Sequence, residues 1–526
     1  MSEPAMERRM LVGRDHAARQ RALFALCLLV LVAAPLVMGG NRPLPLLGLE
    51  IAALGMLLLS FGGPWIQAIP RLLLAALVLL CALPFLQLIP VPPEFWSTLP
   101  GRAGYALWSE GAPAANTWRA MSIAPVLTEY AAWALLPPVA VFVAALNLTP
   151  SRLRAAVWVF LAMVLGQAVL GLMQYGDGPG SWLRFGPAVK DGSAVGTFPN
   201  RNLLAGMLVM GLPVLLALLA SSVFGLDRLT ARGRTGRNWF RRVRDWGRSE
   251  SGSNRSLLYG AMTLAVLLAI VFTRSRSGIA LAMLGLVTSV FVIGRNLGGR
   301  FSARIATVMV ASGLSLAVAI GLAPVLARFG ADPLQDTRWL IFAASWEALK
   351  EFFPLGSGFG TYPEVIAARH PPEFGGEFYI NHAHNDYLEW WVEGGLIAIL
   401  LTIFFGLVYL WRWRTVWAER NWKTLHMMQV GAGIGMLLLM LHGVTDFNFR
   451  VPSNALYFAF LAGVFFYPIE DASLRAGRRY RIDVRKSLGD AGSVKVADGD
   501  LSGRGIAEDA VGLAPTGGRR RNPFSD

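Results

Sequence analysis

Apolar runs of membrane length recur along most of the chain, separated by short polar turns. Roughly 20 apolar residues span a bilayer as a helix, at about 1.5 Å of rise per residue. By that rule the pattern predicts about twelve spanning helices, at 22–40, 44–61, 72–90, 130–147, 155–175, 202–224, 257–272, 277–293, 305–326, 387–410, 426–443 and 454–468. Two stretches break the pattern. In 327–386, a long loop, Trp339, Phe342, Ala343, Trp346, Leu349 and Phe353 recur at helical spacing. That spacing predicts an amphipathic helix that lies on the membrane or caps the bundle. Asp336 or Thr337 is its expected N-cap. Gly356, Gly358 and Gly360 are expected to end it in a tight, flexible turn. The tail, 469–526, is polar, Gly-rich and basic without apolar periodicity, and reads as disordered.

Composition fixes the class. Hydrophobic residues make up 54% of the 526 and charged residues only 15%, which excludes a soluble protein with a single core and gives an all-α polytopic membrane protein. The run 22–38 is too long for a signal-peptide core and is read as an uncleaved first span after a cytoplasmic segment, 1–21. With that end inside, 24 of the 48 Lys and Arg fall in inner loops, 11 more in the tail and 13 on the outer side, as the positive-inside bias requires. An even number of spans then puts both ends in the cytoplasm. The net charge of +15 is thus mainly topological. The Arg-rich loop 225–256 is read as facing anionic lipid, not nucleic acid. Both cysteines, Cys27 and Cys81, fall within predicted spans, so the outer loops hold no disulfide framework and no Cys-based metal site.

On this topology the polar groups that call for explanation lie at the outer edge. His382-Ala383-His384-Asn385-Asp386 crowds imidazoles, an amide and a carboxylate against the apolar run 396–410, and ionisable groups there are costly unless functional. Arg274 and Arg276 stand in a minimal turn between two uncharged spans, against the positive-inside bias, and with their flanking hydroxyls suggest a phosphate site. Arg338 opens the amphipathic helix, where the macrodipole disfavours a cation unless an anion is shared; a salt bridge to Asp332 or Asp336 is the structural alternative. Asn200 and Asn202 begin another span, and His442 and Asp446 are spaced to pair on one helical face. Mid-span charges are nearly absent, which speaks against a proton- or ion-coupled transporter.

These residues resemble the O-antigen ligase and polymerase superfamily of bacterial envelope glycan enzymes. The matching segments are TFPNRNLLA at 197–205, Ser275-Arg276-Ser277-Gly278, the run from Arg338 through PLGSGFG to Gly360, HAHNDYLEWWVEGG at 382–395, and HGVTDFNF near the C-terminus. They define a ligase-like region, 195–468, that includes the outer loop 327–386 and follows N-terminal helices in 22–194. The resemblance implies a GT-C-like fold in the bacterial inner membrane and a periplasm-facing site. It implies transfer of a glycan from an undecaprenyl-type diphosphate lipid to an acceptor hydroxyl, such as lipid A-core in lipopolysaccharide assembly, without metal or cofactor. His384 would be the base, with His382 the second choice, and Arg276 and Arg338 would stabilise the leaving diphosphate. Arg274, His382, Asn385, Asp386, Asn200, Asn202 and Asp446 would complete the substrate site, Asp386 or Asn385 orienting the ring. Other readings are a polymerase of lipid-linked repeats, transfer to a protein side chain, a flippase for the same lipid, and a metal hydrolase using His382, His384, Asp386 and His370.

Overall fold

The computed structural model describes residues 3–61, 63, 69–107, 117–185, 192–223, 252–297, 338–369, 379–419 and 422–468. The expected span at 305–326, most of the basic loop 225–256, the tail, the expected caps Asp336 and Thr337, and Asp332 and His370 lie outside them.

The described chain is almost wholly helical. In order it forms α1 (Glu3–Ala33), α2 (Pro43–Ser60), α3 (Arg71–Gln87), the short α4 (Pro93–Thr98) and α5 (Ala103–Leu107), α6 (Pro125–Ala134), α7 (Leu136–Asn147), α8 (Pro150–Asp177) and α9 (Arg201–Val223). Then come α10 (Gly252–Phe272), α11 (Arg276–Leu297), α12 (Arg338–Phe352), α13 (Tyr362–Ala367), α14 (Asp386–Ala418), α15 (Thr424–His442) and α16 (Pro452–Phe466). A two-residue antiparallel ladder pairs Pro90 with Ala120 and Val91 with Arg119. Among the described residues eight helices are long and apolar enough to cross a membrane, α6 and α7 counting as one, and α3 and α16 are shorter apolar helices. The protein is therefore an all-α, multi-pass membrane protein.

Helix α9 is apolar on every side and buried along nearly its whole length, from Leu203 to Ser222, as befits a helix at the centre of a bundle. Its closest neighbour is α15, and their approach is set by glycine. A Cβ at Gly431 would lie 2.7 Å from the Val214 Cα, and one at Gly435 would lie 2.5 Å from the Met210 carbonyl oxygen. Small residues four apart let two helical backbones touch where lipid supplies no hydrophobic drive to join them.

Polar side chains inside the bundle are tied to backbone. Gln174 of α8 accepts from Gly196 N (2.8 Å) and donates to Gly196 O (2.7 Å), while Gln167 accepts from Thr197 N (2.9 Å) and donates to the Thr197 hydroxyl (2.9 Å). Two buried amides thus hold the segment that leads into α9.

The loop at 353–361 corrects one expectation. Its glycines do adopt positive φ, but the turn is enclosed, not loose: residues 356–359 are buried. It plugs into a break in α14 at Gly395, where φ is +59°. Leu396 N donates to Pro354 O (2.8 Å) and Gly358 N to Glu393 O (3.0 Å). A Cβ at Gly395 would sit 2.1 Å from that Pro354 oxygen, so both the conformation and the space demand glycine.

Gly435→Val is expected to overpack the α9–α15 contact and cost about 1–3 kcal/mol, read as a lowered melting temperature in detergent. An unchanged melting temperature would show that the helices can part there without loss.

Candidate functional site

The ionisable groups gather at one end of the bundle, where four segments distant in sequence meet. The first is the start of α14. Asn385 caps it, its side-chain oxygen accepting from Tyr387 N and Leu388 N (both 3.1 Å). The Asp386 amide donates to Gly443 O (2.7 Å), and the buried Asp386 carboxylate accepts from Phe449 N (3.1 and 3.2 Å). Both residues expected to orient an imidazole instead hold backbone: Asn385 ends a helix and Asp386 binds the segment after α15.

Between these anchors and the Ala383 amide, which donates to Glu389 (2.8 Å), His384 is held at φ +50°. A non-glycine residue there carries strain on the order of 1 kcal/mol and persists only where its flanks are fixed. Its Nδ1 lies 3.3 Å from Asp446 Oδ1. The Asp446 side chain is 0% exposed, and Arg338 Nη2 approaches its second oxygen at 3.8 Å. Arg338 also donates through Nη1 to Thr445 O (2.8 Å). The guanidinium at the start of α12 thus bonds across the fold to the segment after α15; the aspartates named above as alternatives lie outside the described residues. Burial alone would push the Asp446 carboxyl up, but the His384 hydrogen bond and the charge of Arg338 hold it below the ordinary carboxylate range.

An ionised carboxylate accepts and does not donate, so the His384 proton belongs on Nδ1. The lone pair is then on Nε2, which has no hydrogen-bond partner among the described residues, on a side chain 31% exposed. His382 is built in parallel: its Nδ1 lies 3.0 Å from Glu389 Oε1. Phe447 separates the two rings, stacked on His382 at 4.3 Å and edge-on to His384 at 5.1 Å.

Behind them lies a group whose pairing the sequence did not reveal. Arg450 bridges Glu389 (Nε to Oε1, 3.0 Å, a charge contact without hydrogen-bond alignment) and Glu393 (Nη2 to Oε2, 2.5 Å). Burial would lower its pKa, but the two carboxylates raise it and keep it charged. Glu393 also accepts from Tyr362 N (3.2 Å), which ties α14 to α13. Glu389 and Glu393 stood in the quoted motif at helical spacing; their common partner, about 60 residues on, left no local sign.

The remaining candidates divide. Ser277, beside Arg276 at the start of α11, pairs through its hydroxyl with His442 Nε2 (3.0 Å). His442 and Asp446, expected to pair with each other, instead take separate hydrogen-bond partners, and the Arg276 turn is thereby tied to His442, four residues before Asp446. Arg274 lies against the Tyr175 ring, 5.4 Å from its centroid, and reaches the Tyr175 hydroxyl (3.4 Å). Asn200 caps α9 by accepting from Leu203 N (3.0 Å), and Asn202 is half-buried in the first turn of α9 with no side-chain hydrogen bond among the described residues. Among those residues no three His, Cys, Asp or Glu side chains are grouped to hold a metal ion.

Residues 261–403 match a family model described as O-antigen ligase. No curated protein matches the chain. The matched region contains Arg276, Arg338, the glycine loop and the whole His382–Gly395 run, and it stops short of Asp446.

A carboxyl whose pKa is lower folded than unfolded stabilises the fold above its unfolded value, about 3.9, and loses that contribution as pH falls through the folded one. The melting temperatures of wild type and Asp446→Asn should therefore differ most near neutral pH and converge below about pH 4. A gap that stays constant across that range would show that the ionised form is not what the cluster needs.

Proposed function

We propose that this protein, an O-antigen ligase and polymerase-type membrane protein by its domain at 261–403, is an outer-leaflet glycosyltransferase. It would move a glycan from a polyprenyl diphosphate lipid to an acceptor hydroxyl, in the manner of a ligase with a lipid A-core acceptor. Proteins of the family are glycosyltransferase-like enzymes, and the family implies a lipid-linked glycan and an acceptor in a membrane. The observation that carries the reading is the chain Arg338–Asp446–His384, which ends in a partly exposed imidazole.

The chemistry follows from that arrangement. A diphosphate is a good leaving group, so the protein must hold its charge and accept one proton. Nε2 of His384 takes the proton from the acceptor hydroxyl as the acceptor oxygen attacks C1 of the first sugar. The C1–O bond to the diphosphate breaks, its electron pair leaves with the phosphate, and the anomeric configuration inverts. Asp446 keeps the ring in the correct tautomer and stabilises the imidazolium that forms, a role familiar from the hydrolase triad. Arg338, 29% exposed, and Arg276 bind the diphosphate and stabilise the charge gathering on it. No metal or cofactor is required by this scheme. The family resemblance implies a GT-C-like bundle in a bacterial inner membrane, the apolar runs support about twelve spans, and the asymmetry of Lys and Arg supports both ends in the cytoplasm with the site facing the periplasm.

His384→Ala in the purified protein is expected to lower transfer by about 10²–10⁴-fold; retained transfer would sink the base assignment. Arg276→Ala should weaken use of the lipid donor, raising its KM. It is the cleaner test of the clamp, because Arg338→Ala also strips Asp446 of its partner; unchanged donor binding and turnover in both variants would remove the clamp. Deletion of the gene separates the two family activities. Unattached long chains mark a ligase, and single repeat units mark a polymerase, the second reading.

A further inference from the structure

Helix α12 divides the apolar row that its sequence pattern singled out. Ile341, Ser345, Ala348, Leu349 and Phe352 are buried against the bundle. Trp339 and Trp346, each 52% exposed, and Phe353, 45% exposed, form a row on the outside. Spaced seven residues apart, they drift only about 20° per step around the helix. Glu347 and Glu351, also exposed, lie roughly 100° or more round from that row. The outer surface of α12 therefore has an aromatic edge and a charged edge, on which Glu347 pairs with Lys350 and Glu351 with Arg369.

The depth of this helix is fixed at both ends. At one end, Pro354 O accepts from Leu396 N, the first residue of the apolar stretch of α14. From there Leu396, Leu400, Ile403, Leu407 and Leu410 are exposed at helical spacing, a lipid-facing stripe. At the other end, Arg338 is bonded to Thr445 O, three residues past the end of the spanning helix α15. Both termini of α12 thus stand where spans leave the apolar layer.

We infer that α12 is an interfacial helix. Its Trp339–Trp346–Phe353 edge sits in the headgroup–acyl boundary of the leaflet on the site side, with Glu347 and Glu351 turned to water. Amphipathic aromatic rings favour that boundary, and an in-plane helix with apolar and charged edges matches it. The row is continuous with the lipid-facing stripe of α14, so the occupant is bilayer lipid. Arg338, the first residue of the same helix, is thereby held at the depth of lipid phosphates. A lipid with an anionic headgroup would meet it by lateral diffusion without leaving the leaflet. That last step rests on the proposed function; the insertion itself does not.

The test uses the full chain in lipid nanodiscs, with an environment-sensitive fluorophore on Trp346→Cys and, separately, on Glu347→Cys. Lipids carrying a nitroxide near the headgroup should quench the label at 346 several-fold more than that at 347, and aqueous iodide should show the opposite order. Equal iodide quenching at both positions, with no lipid quenching at 346, would overturn the assignment. A Trp339→Glu, Trp346→Glu double variant should raise the KM for membrane-embedded lipid donor several-fold, with kcat preserved. Lipid quenching at 346 together with an unchanged KM would keep the interfacial helix and refute its part in donor capture.

Discussion

A carboxylate with no exposed surface, Asp446, is the constraint on which the site depends. A buried charge is tolerated only where donors and cations surround it. Here they come from Arg338 and His384, residues far from Asp446 and from each other in sequence. To satisfy one carboxylate the fold must bring together the start of α12, the loop before α14 and the segment after α15. The Ser277–His442 pair adds the turn at the start of α11 to the same point. The gathering of the motifs is thus a requirement of charge balance at the end of an apolar bundle, where an unpaired carboxylate would find little solvent.

Most of the fold was legible because span length and apolarity are properties of single segments. Each expected span within the described residues has helix over it, most ends shifted by a few residues, although the first helix begins much earlier, at Glu3, and α14 runs on to Ala418. The existence and extent of α12 were legible too, but its buried face was not. Tryptophan and phenylalanine at helical spacing look the same whether the row faces a core or a lipid interface, and in a membrane protein the second is as favourable as the first. The smaller Ser345 and Ala348 turned out to face the bundle, where close packing favours small residues.

At the site, residue types were readable and partners were not. His384, Arg338 and Asp446 were all named, yet the pairing expected from spacing, His442 with Asp446, gave way to contacts across the chain. Asn200, Asn385 and Asp386 carried the right chemistry for a ligand site and are used on backbone: two cap helices and one holds the Phe449 amide. Short polar side chains at helix starts serve as caps so readily that a sequence alone does not distinguish cap from ligand. The pairing of Arg450 escaped notice because its two glutamates lie on another helix.

The two imidazole–carboxylate–arginine sets suggest how one end of a bundle serves both stability and chemistry. His382, Glu389 and Arg450 repeat the order of His384, Asp446 and Arg338, but the second carboxylate, Glu393, changes the outcome. Arg450 is drawn inward between two buried acids, and its charge is spent on holding α14 to the glycine loop and α13. Arg338 faces one buried acid among the described residues and is itself partly exposed, so its charge extends to the surface where a diphosphate would arrive. Phe447 enforces the division by lying flat on His382 and edge-on to His384. Of two similar imidazoles, the one with the strained backbone, the single acid and the outward arginine is the one arranged to gain and lose a proton against a substrate.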